Sequence, residues 1–330
     1  RPDAFNTALT WEKTTTYNAG LDLGFANDRF TASIDYYYRK TTDLINTVTV
    51  AAGSNFRNKV TSNVGELHNQ GLEFSLTYRP IVTKDWRWEV GYNLTYNDNK
   101  IDKLVASDDP NYKILHGGLA VGDSGSDGIQ AWAVGHPVSA YYTYQQVYDQ
   151  NGLPIEGEFV DRNGDGIINS NDRYFYKKAD ADVLMGFTSK LIYKNWDFSF
   201  SLRASLGNYA YNAVDAGNSN VEVERLYNGS SWHNVPTMVL EKKWNYVSTE
   251  DGLSDYFIQN ASFLKCDNIT VGYSFEKLFK LPISGRIYAT AQNVFTITKY
   301  KGIDPEINGG YDGNIYPRPF TGVLGLNLNF

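Results

Sequence analysis

NWDFSFSLRAS, residues 195–205, alternates without a fault. Trp196, Phe198, Phe200, Leu202 and Ala204 take one parity, and Asp197, Ser199, Ser201, Arg203 and Ser205 the other. Successive side chains of a β-strand point to opposite sides, so this stretch reads as a strand with one apolar and one polar face. Working outward, WRWEVGYNLTYN (86–97) sets Trp86, Trp88, Val90, Tyr92, Leu94 and Tyr96 against Arg87, Glu89, Gly91, Asn93, Thr95 and Asn97. GLEFSLTYR (71–79) and FTASIDYYY (30–38) repeat the pattern. About eleven such strands are expected, near 14–24, 29–45, 67–79, 86–99, 127–135, 138–149, 183–193, 196–206, 261–274, 284–299 and 321–330. No segment reads as a long amphipathic helix.

The connections alternate in length. ANDR (26–29), GHP (135–137) and KN (194–195) are short, whereas 46–66, 100–126, 150–182, 207–260 and 300–320 are long and polar. In a meander, that order sorts short turns to one end and long loops to the other. Outer-membrane barrels have this asymmetry. The strands are also longer than the five or six residues usual in soluble sheets, and suit the roughly 9–11 needed to cross a bilayer at a tilt. Asp22, Asp35, Glu73, Glu89, Lys190, Asp197 and Arg203 all keep the polar parity of their strands. Lys265 and Asp267 break the rule by sharing parity with Ile269, Val271 and Tyr273. Either a bulge resets the register there, or that half of the strand stands above the membrane. A large soluble β-sandwich is the competing fold, and it explains neither the loop asymmetry nor the strand length.

Composition narrows the classes. A net charge of −7 argues against nucleic acid. Aromatics make up 15% of the chain, with 25 Tyr and 7 Trp, which suits a surface half in lipid and half in water. Cys266 is the single cysteine, so neither an intrachain disulfide nor a cysteine metal cluster is available. The four histidines, His68, His116, His136 and His233, form no metal-spaced pair. No run of ~18 apolar residues suggests a transmembrane helix. The chain opens on Arg1 rather than Met, and is expected to be a piece of something longer.

Several stretches then point to one family. WEKTTTYNAGLDLGFANDRFTASIDYYYRKTTDLI (11–45), NVGELHNQGLEFSL (63–76), DRNGDGIINSNDR (161–173), YKNWDFSFSLRASLGNYAYN (193–212), ASFLKCDNITVGYSF (261–275) and AQNVFTITKYKGIDPE (291–306) resemble the SusC/RagA family of TonB-dependent outer-membrane transporters. So does YPRPFTGVLGLNLNF (316–330), which looks like that family's last strand. The resemblance implies an all-β, transmembrane antiparallel β-barrel of which residues 1–330 form the carboxy-terminal part, about 11 of 22 strands. It also implies a plug domain upstream, absent from this chain. Its implied function is TonB-dependent import of oligosaccharides or peptides across the outer membrane of a Gram-negative, Bacteroidetes-like cell. The implied partners are a SusD-like surface lipoprotein as lid, and TonB with ExbB and ExbD through the missing N-terminal region. A passive porin-like channel and a calcium-dependent adhesion or scaffold module are the alternatives. No catalytic constellation is expected, and nucleic acid is not an expected partner.

DRNGDGIINSND (161–172) matches a 12-residue calcium loop, which supplies oxygens from positions 1, 3, 5, 7, 9 and 12 and a tight turn at 6. Here those positions are Asp161, Asn163, Asp165, the Ile167 carbonyl, Asn169 and Asp172, with Gly166 at the turn. Position 12 is Asp where Glu is usual. An Asx-rich loop that binds nothing is the plain alternative. The loop lies in an expected extracellular connection, where a Ca²⁺ ion would supply the rigidity that a long surface loop without a core lacks. Other stretches say less. GDSGS (122–126) has no His or Asp placed to complete a protease triad. Tyr227, Trp232 and Tyr311 suit either ligand contact or loop packing.

Overall fold

The computed structural model describes residues 4–51, 53–104, 112–120, 128–218, 227–228, 231–232, 242, 244, 248–277 and 283–329. The chain first runs back and forth in four long strands, β1 (Lys13–Phe25), β2 (Phe30–Thr49), β3 (Lys59–Val82) and β4 (Trp86–Lys103). A long excursion follows, with short strands β5 (Lys113–His116), β6 (Gln130–Ala133), β7 (Ala140–Thr143), β8 (Gln146–Tyr148), β9 (Pro154–Phe159) and β10 (Tyr174–Lys178). β11 (Val183–Tyr193) and β12 (Trp196–Leu206) return to the wall. A second excursion carries β13 (Tyr209–Asn212), a short helix at Ala213–Asn218, β14 (Tyr227–Asn228), β15 (Ser231–Trp232), a helical turn at Thr249–Gly252 and β16 (Ile258–Asn260). β17 (Phe263–Phe275) and β18 (Ser284–Thr298) follow, then β19 (Tyr311–Asp312) in the last loop, and β20 (Thr321–Asn329).

Nine strands form one antiparallel meander in the order β1-β2-β3-β4-β11-β12-β17-β18-β20. The expected all-β antiparallel wall is present, but among the described residues it has nine strands rather than about eleven. The two expected strands at 127–135 and 138–149 are instead the four-residue β6 and β7, which pair with β5 and β10 in a separate four-stranded sheet. Nearly all their residues are buried on both faces, so they belong to a core and not to a wall with one face in lipid. GHP (135–137) therefore joins two loop strands, and residues 104–182 form one connection. Because the two segments drop out as a pair, the up–down parity of every other strand is preserved. Short turns still gather at one end and long loops at the other.

Between its bulges, alternation along the wall is kept from strand to strand. Trp196 stands opposite Tyr193 on one side and Tyr273 on the other. Rings collect at the short-turn end of this outer face. Phe25 lies 6.1 Å from Phe30, Phe30 6.2 Å from Tyr78, Trp86 4.1 Å from Tyr193 and Trp196 4.9 Å from Tyr273. That row is an aromatic girdle of the kind found where a barrel meets a membrane–water interface. Along β4 the outward row runs from Trp86 to Tyr96 before it turns polar at Asp98, which accepts from Gln70 at 3.3 Å. About ten residues of a strand tilted ~40° climb roughly 25 Å, the height of a barrel's apolar band.

A bulge settles the parity of Lys265 and Asp267. The β12–β17 and β17–β18 registers both slip between Cys266 and Asn268. Ile269 stays opposite Phe200, while Lys265 moves opposite Arg203 on the inner face. Asp267, the extra residue, pairs its carboxylate with Arg203 at 2.7 Å.

The buried core does not lie in the wall. It sits at the long-loop end, where Ile129, Tyr141, Tyr144, Phe159, Tyr211, Trp244, Leu253 and Phe257 pack together. The expectation that these loops lack a core is thus corrected. Residues from both excursions bury this core jointly as a cap.

Candidate functional site

The inner face of the wall is built from small polar side chains. Asn18, Asn69, Asn97 and Asn99 line a cavity of about 970 Å³ between the wall and residues 305–309 of the last loop. Tyr37 lies among them and donates its hydroxyl to Asn97 Oδ1 at 2.5 Å. The strand geometry that aims these groups inward also aims ion pairs there. Arg79 meets Glu89 at 2.7 Å, and Arg286 meets Asp197 at 2.6 Å. The second pair crosses Gly272, where an added Cβ would come within 2.5 Å of both partners. Only glycine lets that bridge lie flat on the wall. Lys190 also faces inward, in register with Glu89 and Ser199.

Near the long-loop end, a larger cluster joins wall and loop. Arg203 reaches Asp267 at 2.7 Å and Glu306 at 2.9 Å, and Lys265 reaches Asp304 at 2.7 Å and Glu306 at 3.0 Å. Arg318 pairs with Glu306 as well. Burial works to raise the Glu306 pKa, but the hydrogen bonds and charges of Arg203 and Lys265 outweigh it and hold the carboxyl at about 2. Nothing in the sequence alone tied Asp304 and Glu306 to cations some 40 and 100 residues upstream. The polar character of the loop was legible, these partners were not.

The loop at 161–172 is folded by its own side chains. Asp161 accepts from Gly164 N at 2.7 Å and Gly166 N at 2.8 Å, and Asp165 Oδ1 accepts from Ile167 N at 2.8 Å. Gly166 has φ 76°, the left-handed turn expected of position 6. Asn169 caps the 3₁₀ turn Ser170–Asp172. Asp172 is fully buried, and amide bonds from Asn169, Arg162 and Asn163 hold its carboxyl below the usual carboxylate range. Among the described residues, no three Asp, Glu, His or Cys side chains are gathered around one ion position. An ion here therefore needs oxygens from Asn163, Asn169 and Ile167 as well.

The remaining motifs contribute little to a site. Tyr311 packs on Tyr211 at 5.8 Å, as part of the cap. Tyr227 and Trp232 are register partners across β14 and β15. GDSGS (122–126) and His233 lie outside the described residues. Cys266 is a buried strand residue between Leu202 and Phe295.

Comparison with known proteins agrees with this architecture. Residues 2–151 match the family model described as TonB dependent receptor-like, beta-barrel. Over its whole length the chain is 51% identical to TonB-dependent receptor SusC of Bacteroides thetaiotaomicron, of which it covers 33%. It is 30% identical to TonB-dependent receptor P3 of Formosa agariphila, covering 99% of this chain and 35% of that one. Among solved structures, the RagAB peptide importer in its closed-closed state superposes with a TM-score of 0.76 at 25% identity, over 98% of this chain and 36% of that one. The chain thus spans about a third of the length of the relatives it matches. These relatives are named as receptors, which are transporters rather than enzymes. A one-sided antiparallel wall with an aromatic girdle, matched along its full length by such relatives, places the chain in the SusC/RagA family of TonB-dependent receptors, as part of their β-barrel.

Proposed function

We propose that the protein containing this chain imports oligosaccharides or peptides across the outer membrane, driven by TonB with ExbB and ExbD and lidded by a SusD-like lipoprotein. The observation that carries the reading is the wall itself, apolar and ring-edged outside and amide-lined inside, in a chain half identical to SusC. The importer named for RagAB supports the same reading at the level of fold. The direct test is uptake of fluorescent oligosaccharide and peptide pools by cells with and without the full-length protein. Uptake should vanish when a protonophore collapses the proton gradient. Full uptake in its presence would make the protein a passive channel instead.

We also propose that Asp161, Asn163, Asp165, the Ile167 carbonyl, Asn169 and Asp172 hold Ca²⁺. The support is their spacing and the left-handed turn at Gly166, which position 6 of such a loop requires. Because the cap has its own core, the ion would order the loop at 161–172 and not the cap as a whole. In the full-length protein, EGTA should raise proteolysis at 161–172 while barrel melting stays put. Asp161→Ala with Asp165→Ala should mimic it. Equal proteolysis with Ca²⁺ and with EGTA would remove the ion.

A further inference from the structure

We propose that residues 299–312 act as a latch that locks the loop cap to the inner wall of the barrel, so that the two open only together. One end of the segment is fixed to the wall. Asp304 and Glu306 take charge-assisted bonds from Lys265 on β17 and Arg203 on β12, at 2.7–3.0 Å. The Asp267 bulge is what turns this part of β17 inward to meet them. The other end is fixed to the cap. The carbonyl of Gly310 lies 2.8 Å from the hydroxyl of Tyr141, a fully buried member of the cap core. Gln130 Nε2 donates to Gly309 O at 3.3 Å. Tyr311 and Asp312 then pair in parallel with Tyr211 and Asn212 of the cap strand β13, and Tyr300 donates to Asp312 at 2.5 Å.

The two anchors are different in kind and only a few residues apart. The wall anchor is stiffened by local bonds, Glu306 N to Asp304 and Ile307 N to Pro305, and only Asn308 separates that turn from Gly309. Gly310 sits at φ 76° against the Tyr141 ring, where an added Cβ would meet the hydroxyl at 2.2 Å, so the approach tolerates no other residue. A rigid segment held at both ends transmits load between them. The cap cannot lift from the mouth without drawing Glu306 away from Arg203, or without breaking at Tyr141.

The test is hydrogen exchange in the full-length protein, in nanodiscs, for Glu306→Gln, Tyr141→Phe and the double variant. A rigid latch loosened at either end is loosened at the other as well. Each single variant should therefore speed exchange roughly tenfold at both anchors, and the double variant should add little to the faster single one. Heat-modifiable gel mobility should show the barrel intact. If Glu306→Gln does not assemble, Tyr141→Phe alone decides, through faster exchange at residues 304–306. Exchange raised only beside each substitution, or additive in free energy, would overturn the latch.

Discussion

At the scale of single residues, parity decides what a position tolerates. Leu94 and Phe200 point out of the wall and Asn93 and Ser201 into it, as their cross-strand partners Met185, Ile269, Gly186 and Asn268 confirm. Arginine on the lipid face costs roughly 2–4 kcal/mol at mid-membrane. Leu94→Arg and Phe200→Arg should therefore abolish the heat-modifiable form of the full-length barrel, whereas Asn93→Arg and Ser201→Arg should keep it. Equal loss in both pairs would reverse the assigned faces. Glu306 carries a second prediction. Its pKa lies near 2 in the folded chain, below an ordinary value of 4.5. A depressed acid stabilises fully above its ordinary pKa, and the contribution is lost as pH falls through the folded value. Arg203, Lys265 and Arg318 are the cations that face it, beside Asp267 and Asp304. Hydrogen exchange at 304–306, corrected for intrinsic rate, should be flat from pH 7 to about 4.5 and rise below it. A rise already at pH 6 would show that the carboxylate is not held by these cations.

At the scale of elements, the bulge in β17 shows how closely register and sequence are tied. Removing Asp267 leaves Ile269, Cys266 and Leu264 outward and Lys265 inward, now without a bulge. That deletion should give a folded barrel lacking one partner of Arg203. Deleting Val271, four residues on, flips every side chain above it and places Lys265 in lipid. The full-length deletion proteins should differ in heat-modifiable mobility accordingly, and assembly of both would show that register is not set by the lipid face. The same logic explains what the sequence revealed. Wall strands such as 86–97 and 196–206 were legible because lipid and lumen impose opposite chemistry on alternate residues. The break at Lys265 was visible too, although only pairing told a bulge from a strand end. β6 and β7 were misread because their alternation carries no such meaning, being buried on both faces. The cap was illegible for a different reason. Tyr141, Tyr211 and Phe257 come from distant stretches, and no local pattern announces that they meet. The fold of the loop at 161–172 was readable because its turn glycine and the side chains that hold it lie within twelve residues.

At the scale of the molecule, the wall is an open sheet. β1 and β20 stand at opposite ends of the strand order and do not pair with each other. Each therefore offers a row of backbone N–H and C=O groups with no partner in the sheet. In hydrocarbon an unsatisfied backbone group costs several kcal/mol, so membranes are crossed by closed barrels and not by sheets with edges. The outer face adds to the difficulty, with Trp196, Leu324, Leu326 and Ile287 all more than half exposed. The cap does not compensate, because both edge strands stay largely exposed along their length. The relatives are about three times as long as this chain, which leaves ample sequence to supply the missing strands. Residues 1–330 produced alone should consequently associate through their edges, in water or in detergent, and should show no heat-modifiable monomer. Co-expression with the remainder of the full-length protein should restore one. A monodisperse, water-soluble monomer of residues 1–330, measured by light scattering, would mean that the edges close on themselves and that this wall is not a segment of a larger barrel.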